Sequence, residues 1–301
     1  MPGPLNPFPT RRIYYLDIKV TDMTTTNTAR GILNVIPAVE TLEGGGVPIR
    51  RAFPTNLFDY LDPFLLLDEM GPFELKADQS TGFPDHPHRG FETVTYLLEG
   101  QMEHRDSFGH RGRLNPGDVQ WMTAGSGLVH SEMPGAELVK SGGMLHGFQL
   151  WVNLPKRDKM TAPQYQELKA EQIPSPATPD GKVAVKVIAG EALGQRAAIG
   201  THTPILYLHF TLQPGALHVQ EVPHSWNAFA YRIDTGDLSV FAKNADTVEL
   251  KNDGGKPIEI LLVAGEPIGE AVARYGPFVM NSKEEVYKAF EDYRAGRMGT
   301  I

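Results

Sequence analysis

"FPDHPHRGFETVTYLLEG", residues 83–100, carries both the fold signal and the chemical signal of this chain. In its second part Glu92, Val94, Tyr96 and Leu98 face one way along an extended backbone, and Thr93, Thr95 and Leu97 face the other. Its first part sets His86 and His88 two residues apart, and Gly100 closes the run. Downstream, "GSGLVHSE" (125–132) repeats that spacing with His130 and Glu132.

Working outward, "GMLHGFQLWVNLP" (143–155), "PILYLHFTL" (204–212), "DLSVFA" (237–242) and "PIEILLVAG" (257–265) also read as strands. Turn signals such as "NPGD" (115–118) and "NDGG" (252–255) fall between such runs. With 31 glycines and 24 prolines spread along the chain, many short strands are expected and helix is scarce. The clearest helix is near the end. There Ser282 and Glu285 form a capping box, and Val286, Ala289, Phe290 and Tyr293 make an apolar stripe suited to packing.

The 301 residues suffice for one large domain or two ordinary ones, and 41% hydrophobic with 21% charged residues is a soluble globular balance. A net charge of −8 without a basic run argues against direct nucleic-acid binding. No cysteine is present, which excludes disulfides, thiolate metal sites, iron–sulfur clusters and a cysteine nucleophile. Any metal must therefore be held by nitrogen and oxygen. No apolar run suits a signal peptide or a membrane span, so a cytoplasmic protein is expected. Residues 1–29 read as an extension, with one strand expected in "RIYYLDIKV" (12–20). The polar, proline-rich segment 156–180 reads as a linker between an N-terminal domain (30–155) and a C-terminal one (181–301).

An internal echo supports that division. "VPHSWNAFAYRIDTG" (222–236) resembles "HPHRGFETVTYLLEG" (86–100), with His224 on His88 and Gly236 on Gly100. In that register Val222 replaces His86 and Ala228 replaces Glu92. A duplicated β-barrel with one working site is the expectation.

On a strand, His86 and His88 share a face with Cα atoms roughly 6.5–7 Å apart, and two imidazoles so placed can converge on one ion. His130 and Glu132 repeat the geometry, and the two strands are expected to face each other inside a barrel. Three nitrogens and one carboxylate suit Fe, Ni, Mn, Co, Cu or Zn, with coordination positions left open. Glu92 is the rival carboxylate. It shares the parity of His88 but lies roughly 13 Å further along a straight strand. It could ligate only if the chain bends at Gly90, so it is held as a candidate beside the ligands rather than among them. His104 and His110 are expected at the surface, and His146 as a buried, hydrogen-bonded residue. His202, His209 and His218 show no partner pattern, and His224 reads as a relic. No nucleophile elbow, P-loop, dinucleotide fingerprint or H-E-x-x-H is present.

The pattern G-x3-H-x-H-x3-E-x7-G over 82–100, followed by "PGD" (116–118) and G-x-G-x-x-H (125–130), resembles the two cupin motifs. More closely, residues 86–109, 116–134, "GGMLHGFQLWVNLP" (142–155) and "ARYGPFVMNSKEEV" (273–286) resemble the pirin family, a group of bicupins. The likeness runs from about residue 30 to the C-terminus, and the N-terminal extension departs from the usual pattern. It implies an all-β fold of two cupin (jelly-roll) domains with few short helices. It also implies metal ligands at His86, His88, His130 and Glu132, with iron, as Fe(2+), the usual ion and the second domain metal-free.

The implied activity is that of a quercetin 2,3-dioxygenase, opening the heterocycle of a flavonol with dioxygen, with Glu132 as the base that takes the hydroxyl proton. The other implied role is a metal-dependent redox-sensing regulator acting through protein partners. A third reading is a different oxygenase or an isomerase on the same open site.

Overall fold

Alternation along residues 92–98 becomes a division between two interiors. Val94 and Tyr96 join a large apolar cluster where the two halves of the molecule meet. Leu97 faces a separate cluster with Val47, Ile49, Met70 and Met102. The computed structural model describes residues 29–301, so the strand expected over 12–20 lies outside the described residues.

The first half begins with β1 (Ile32–Pro37), β2 (Val39–Glu43), β3 (Val47–Phe53), β4 (Phe64–Leu75), β5 (Phe83–His88) and β6 (Phe91–Glu99). It continues with β7 (Met102–Asp106), β8 (Arg111–Leu114), β9 (Val119–Thr123), β10 (Leu128–Pro134), β11 (Gly143–Asn153) and β12 (Gln164–Leu168). The second half holds β13 (Val183–Ala189), β14 (Glu191–Ala192), β15 (Gln195–Arg196), β16 (Ile205–Leu212), β17 (Ala216–Glu221) and β18 (Asn227–Arg232). The last strands are β19 (Asp237–Phe241), β20 (Thr247–Asn252), β21 (Ile258–Gly265), β22 (Ala273–Tyr275) and β23 (Phe278–Met280). Among the described residues α-helix is confined to α1 (Ala136–Ser141) and α2 (Lys283–Arg294). Neither is long and apolar enough to cross a membrane.

The duplication is visible in the sheets. One runs β12-β9-β6-β11-β4-β3-β2, the other β1-β19-β18-β21-β16-β13. β6 and β18 hold equivalent places, as the echo implied, and Gly100 and Gly236 both take positive φ (86° and 72°) in the turns that follow. Each large sheet is accompanied by a smaller one, β5-β10-β7-β8 in the first half and β17-β20 in the second. The hydrogen bonding leaves these as stacked sheets and does not close them into continuous barrels. Val222, the counterpart of His86 in the echo, is fully buried in the second half's apolar interior with Leu208, Phe210 and Leu262.

Strand pairing crosses the divisions drawn at 156 and 181. β1 lies on β19, in the second half's sheet, and β12 lies on β9, in the first half's. The segment read as a linker thus contributes a strand. Its sequence, Gln-Tyr-Gln-Glu-Leu, is polar because it covers a sheet edge, so its hydrophobic signal is weak. The two arms interlock the halves.

After β21 the chain crosses back to the first half. Phe278 and Met280 of β23 and Val286 and Ala289 of α2 pack on Val129 of β10. α2 starts with the expected capping box. Ser282 Oγ accepts from the Glu285 backbone N–H at 3.2 Å, and Glu285 Oε2 accepts from the Ser282 N–H at 3.0 Å. Arg89 Nη1 reaches Asp292 Oδ2 at 2.8 Å in a buried pair. The chain's last element thereby packs beside its first histidine pair.

Candidate metal centre

β5 and β10 are neighbours in one antiparallel sheet rather than facing strands. His130 stands directly opposite His86, and Leu128 opposite His88. Side chains on a shared face of adjacent strands meet at close range. The ring centroids lie 4.7 Å (His86–His88), 4.4 Å (His86–His130) and 5.0 Å (His88–His130) apart. One ligand nitrogen from each comes within 4.8 Å of the others, which is the span of donors around a single ion.

Hydrogen bonds fix which nitrogens are free. His86 Nδ1 donates to Pro84 O at 2.7 Å and His88 Nδ1 to Pro277 O at 3.4 Å. A carbonyl only accepts, so each Nδ1 carries the proton and each Nε2 keeps its lone pair for an ion. His130 is fully buried, yet neither of its ring nitrogens has a hydrogen-bond partner. An orphaned imidazole costs stability in a folded protein and fits a metal ligand. Burial, followed by the neighbouring His86, holds the pKa of His88 and of His130 well below 6.5. Both rings are therefore neutral, as ligation requires.

Glu132 is buried on the same strand as His130, but it is not one of the three clustered donors. A register shift between His130 and Glu132 sets it opposite Phe83. Its Oε1 accepts from Thr95 Oγ1 at 2.6 Å, and its Oε2 from Gln149 Nε2 at 2.9 Å. Glu92 is elsewhere. The chain does turn at Gly90, where φ is 88° and a Cβ would collide with Val279 O, but the turn sends Glu92 to the other face of β6. There its Oε1 accepts from Thr123 Oγ1 at 2.7 Å and meets His202 Nδ1 at 2.9 Å.

Of the remaining histidines, His104 departs from expectation. It is buried, stacked on Tyr165 of the β12 arm, with Nε2 2.6 Å from Glu167 Oε1. Seen without β12, "EHRDSFGH" looks like an exposed hairpin. His110 is exposed, as expected. His146 is buried against Glu69 at 2.8 Å, also as expected. His209 is buried on Tyr96 OH, His218 is buried over Phe210, and His224 is exposed near Asp246.

His86 and His88 open onto a cavity of about 500 Å³ whose lining includes Leu66, Met70, Gln149, Trp151, Arg274 and Pro277. A cleft of about 650 Å³ in the second half lies apart from the imidazoles, between His218 and Trp226. Gln149, Thr95 and Trp151 escaped the sequence reading, though a polar Gln149 in the apolar run "FQLWV" was a usable signal. Arg274 and Pro277 gave none, because the hairpin that brings them is remote in sequence.

Comparison with known proteins agrees with the duplicated architecture. A family model described as Pirin matches residues 46–152, and one described as Pirin C-terminal cupin domain matches 207–299. Human Pirin is 48% identical over 276 residues, covering 86% of this chain and 91% of that protein. A Pirin-like protein of Solanum lycopersicum is 45% identical over 271 residues, covering 85% and 89%. A crystal structure of quercetin 2,3-dioxygenase from Acinetobacter baumannii superposes with a TM-score of 0.85 at 33% identity, covering 91% of this chain and 100% of that one. With both halves matched and the duplicated strand order in place, the chain belongs to the pirin family of bicupins.

Proposed function

We propose that the chain is a metal-dependent dioxygenase that opens the heterocyclic ring of a flavonol-like substrate, consuming dioxygen and releasing carbon monoxide with an aromatic ester. The observation that carries this reading is the three-imidazole cluster beside a cavity large enough for a planar aromatic molecule. The resemblance to the Acinetobacter baumannii quercetin 2,3-dioxygenase supports the substrate class.

His86, His88 and His130 would hold the ion, Fe(2+) in first place, with Ni, Mn, Co, Cu or Zn as alternatives. When bound, such an ion supplies Lewis acidity toward the substrate's oxygens. Glu132 takes the substrate hydroxyl proton, or completes the ligand set when no substrate is present. Thr95 and Gln149 hold its two oxygens in place. Gln149 also lines the cavity, and it connects the buried carboxylate to the space where substrate sits. Leu66, Met70 and Trp151 offer apolar wall to a flat ring system and exclude water from it.

The test is metal analysis after anaerobic purification, followed by flavonol turnover with each reconstituted ion. About one equivalent of metal, with ion-dependent oxygen uptake and carbon monoxide release, is expected. The H86A/H88A double variant should lose both metal and turnover, and turnover surviving in it would remove the proposal.

A second reading is a regulator that acts through a protein partner. It is favoured by the exposed apolar side chains of Ile32, Leu33 and Val35 on β1. Partner capture that depends on metal loading, without turnover of any flavonol, would select it.

A further inference from the structure

Trp151 stands between the histidine cluster and a cation from the far end of the chain. Its ring centroid lies 5.1 Å from that of His88, and the Arg274 guanidinium sits over the ring 5.0 Å from the centroid. All three residues line the same cavity. Arg274 belongs to β22, and Nη1 donates to Leu65 O at 2.9 Å.

The other charges around the cavity are in direct ion pairs, whereas the carboxylates of Asp59, Asp68 and Glu43 act on Arg274 only from beyond contact distance. Arg51 is bidentate to Asp68 at 2.8 and 2.7 Å and also meets Glu43 at 2.9 Å. Asp85 is taken up by Arg105 at 3.4 Å. Arg274, half-buried, makes no ion pair among the described residues, and a guanidinium has five N–H donors to offer. Its contact with Trp151, whose ring also packs on Phe91 at 4.3 Å, fixes the fork in the cavity wall beyond the indole from His88. A residue needed only to fasten the hairpin would be served by the Leu65 bond, and its spare donors would need no place in the cavity wall.

We infer that Arg274 selects the ligand of this cavity, and that the ligand is a planar aromatic molecule bearing a negative oxygen group, an ionised phenol or carboxylate, on its end beyond Trp151 from the imidazoles. The inference rests on the proposed function only in taking the cavity as the place where an organic ligand meets the metal. Arg274 positions and selects; it takes no part in bond breaking.

The probes are 3-hydroxyflavones carrying a carboxylate at the 4′ or the 7 position, each compared with its isosteric carboxamide. Binding to the zinc-loaded full chain, where redox turnover is silent, is followed by tryptophan quenching. Wild type should favour at least one carboxylate over its amide by about tenfold, the size of a charge-assisted hydrogen bond. R274M should bind both members of the pair equally, with metal content and amide affinity retained, and R274K should keep a reduced preference. Absence of a preference in wild type overturns the inference, and so does its survival in R274M. Failure of the dioxygenase proposal is read separately, as missing oxygen uptake on the iron-loaded protein while the carboxylate preference persists.

Discussion

His88 Nδ1 donates to the carbonyl oxygen of Pro277, 3.4 Å away and 189 residues further along the chain. The orientation of a candidate metal ligand thus depends on a hairpin contributed after the second half is complete. Two residues beyond each partner, Gly90 O and Val279 O both accept from the buried Lys159 Nζ, at 2.7 and 3.0 Å, and Asn153 Oδ1 accepts at 2.7 Å. Lys159 therefore fastens the turn after His88 to the strand after Pro277. Replacing it with methionine leaves those acceptors without their donor. The K159M variant should lose on the order of 3 kcal/mol in denaturant unfolding. It should also bind metal more weakly than wild type under conditions where both are folded. A variant of unchanged metal affinity would show that the hairpin leaves His88 unaffected.

The unpartnered nitrogens of His130 make a claim about the metal-free protein. A buried imidazole lacking any hydrogen bond is a cost that an ion removes. Leucine has similar bulk and no polar atom. After chelation, H130L should be more stable than wild type by about 1–3 kcal/mol. Added metal should then raise the melting temperature of wild type and leave that of H130L unchanged. A chelated H130L less stable than chelated wild type would show that the imidazole is satisfied by something other than an ion.

Gln149 separates positioning from ligation. Its amide holds Glu132 Oε2 while its own Oε1 lies 3.0 Å from Thr95 Oγ1, so the three side chains form one network. Q149L should preserve the three imidazoles and bind one equivalent of metal. Flavonol turnover should fall by about 10–100-fold, the usual effect of removing a group that orients a site. The loss should appear in kcat, because the carboxylate is displaced from its proton-accepting position. Loss of metal with turnover per bound ion unchanged would instead place Gln149 in metal retention.

Much of this was legible because strand chemistry is local. The period-two pairs at 86–88 and 130–132 needed only alternation to suggest a common face, and three of the four side chains meet. The fourth was harder. Glu132 has the right parity, but the register shift after His130 re-aims it, and a shift of that kind depends on the partner strand. Glu92, held beside the ligands and not among them, lies away from the imidazoles on Thr123 and His202. Its parity count ran through Gly90, whose left-handed conformation turns the chain and ends the count. His104 was misjudged because its cover, Tyr165 and Glu167, comes from a segment polar enough to pass for a linker. Nothing in residues 83–155 foretells Pro277 or Arg274, which arrive only through tertiary packing.

Glu92 and His202 supply a pH test at the contact between the halves. His202 Nδ1 lies 2.9 Å from Glu92 Oε1, and that hydrogen bond raises the imidazole's pKa above 6.5, against the opposing effect of burial and with a smaller contribution from Asp158. A base whose folded pKa exceeds its unfolded value binds its proton more tightly in the folded state. Its stabilisation is therefore fully present below about pH 6.5 and is lost as pH rises through the folded value. The pair is partly open to solvent, so its worth is about 1 kcal/mol. Wild type should exceed H202Q by that amount at pH 6, and the gap should close by pH 9. Denaturant unfolding of both proteins at the two pH values measures it. A gap that stays constant with pH would mean that the contact between Glu92 and His202 holds through a neutral hydrogen bond, with the proton playing no part in joining the halves.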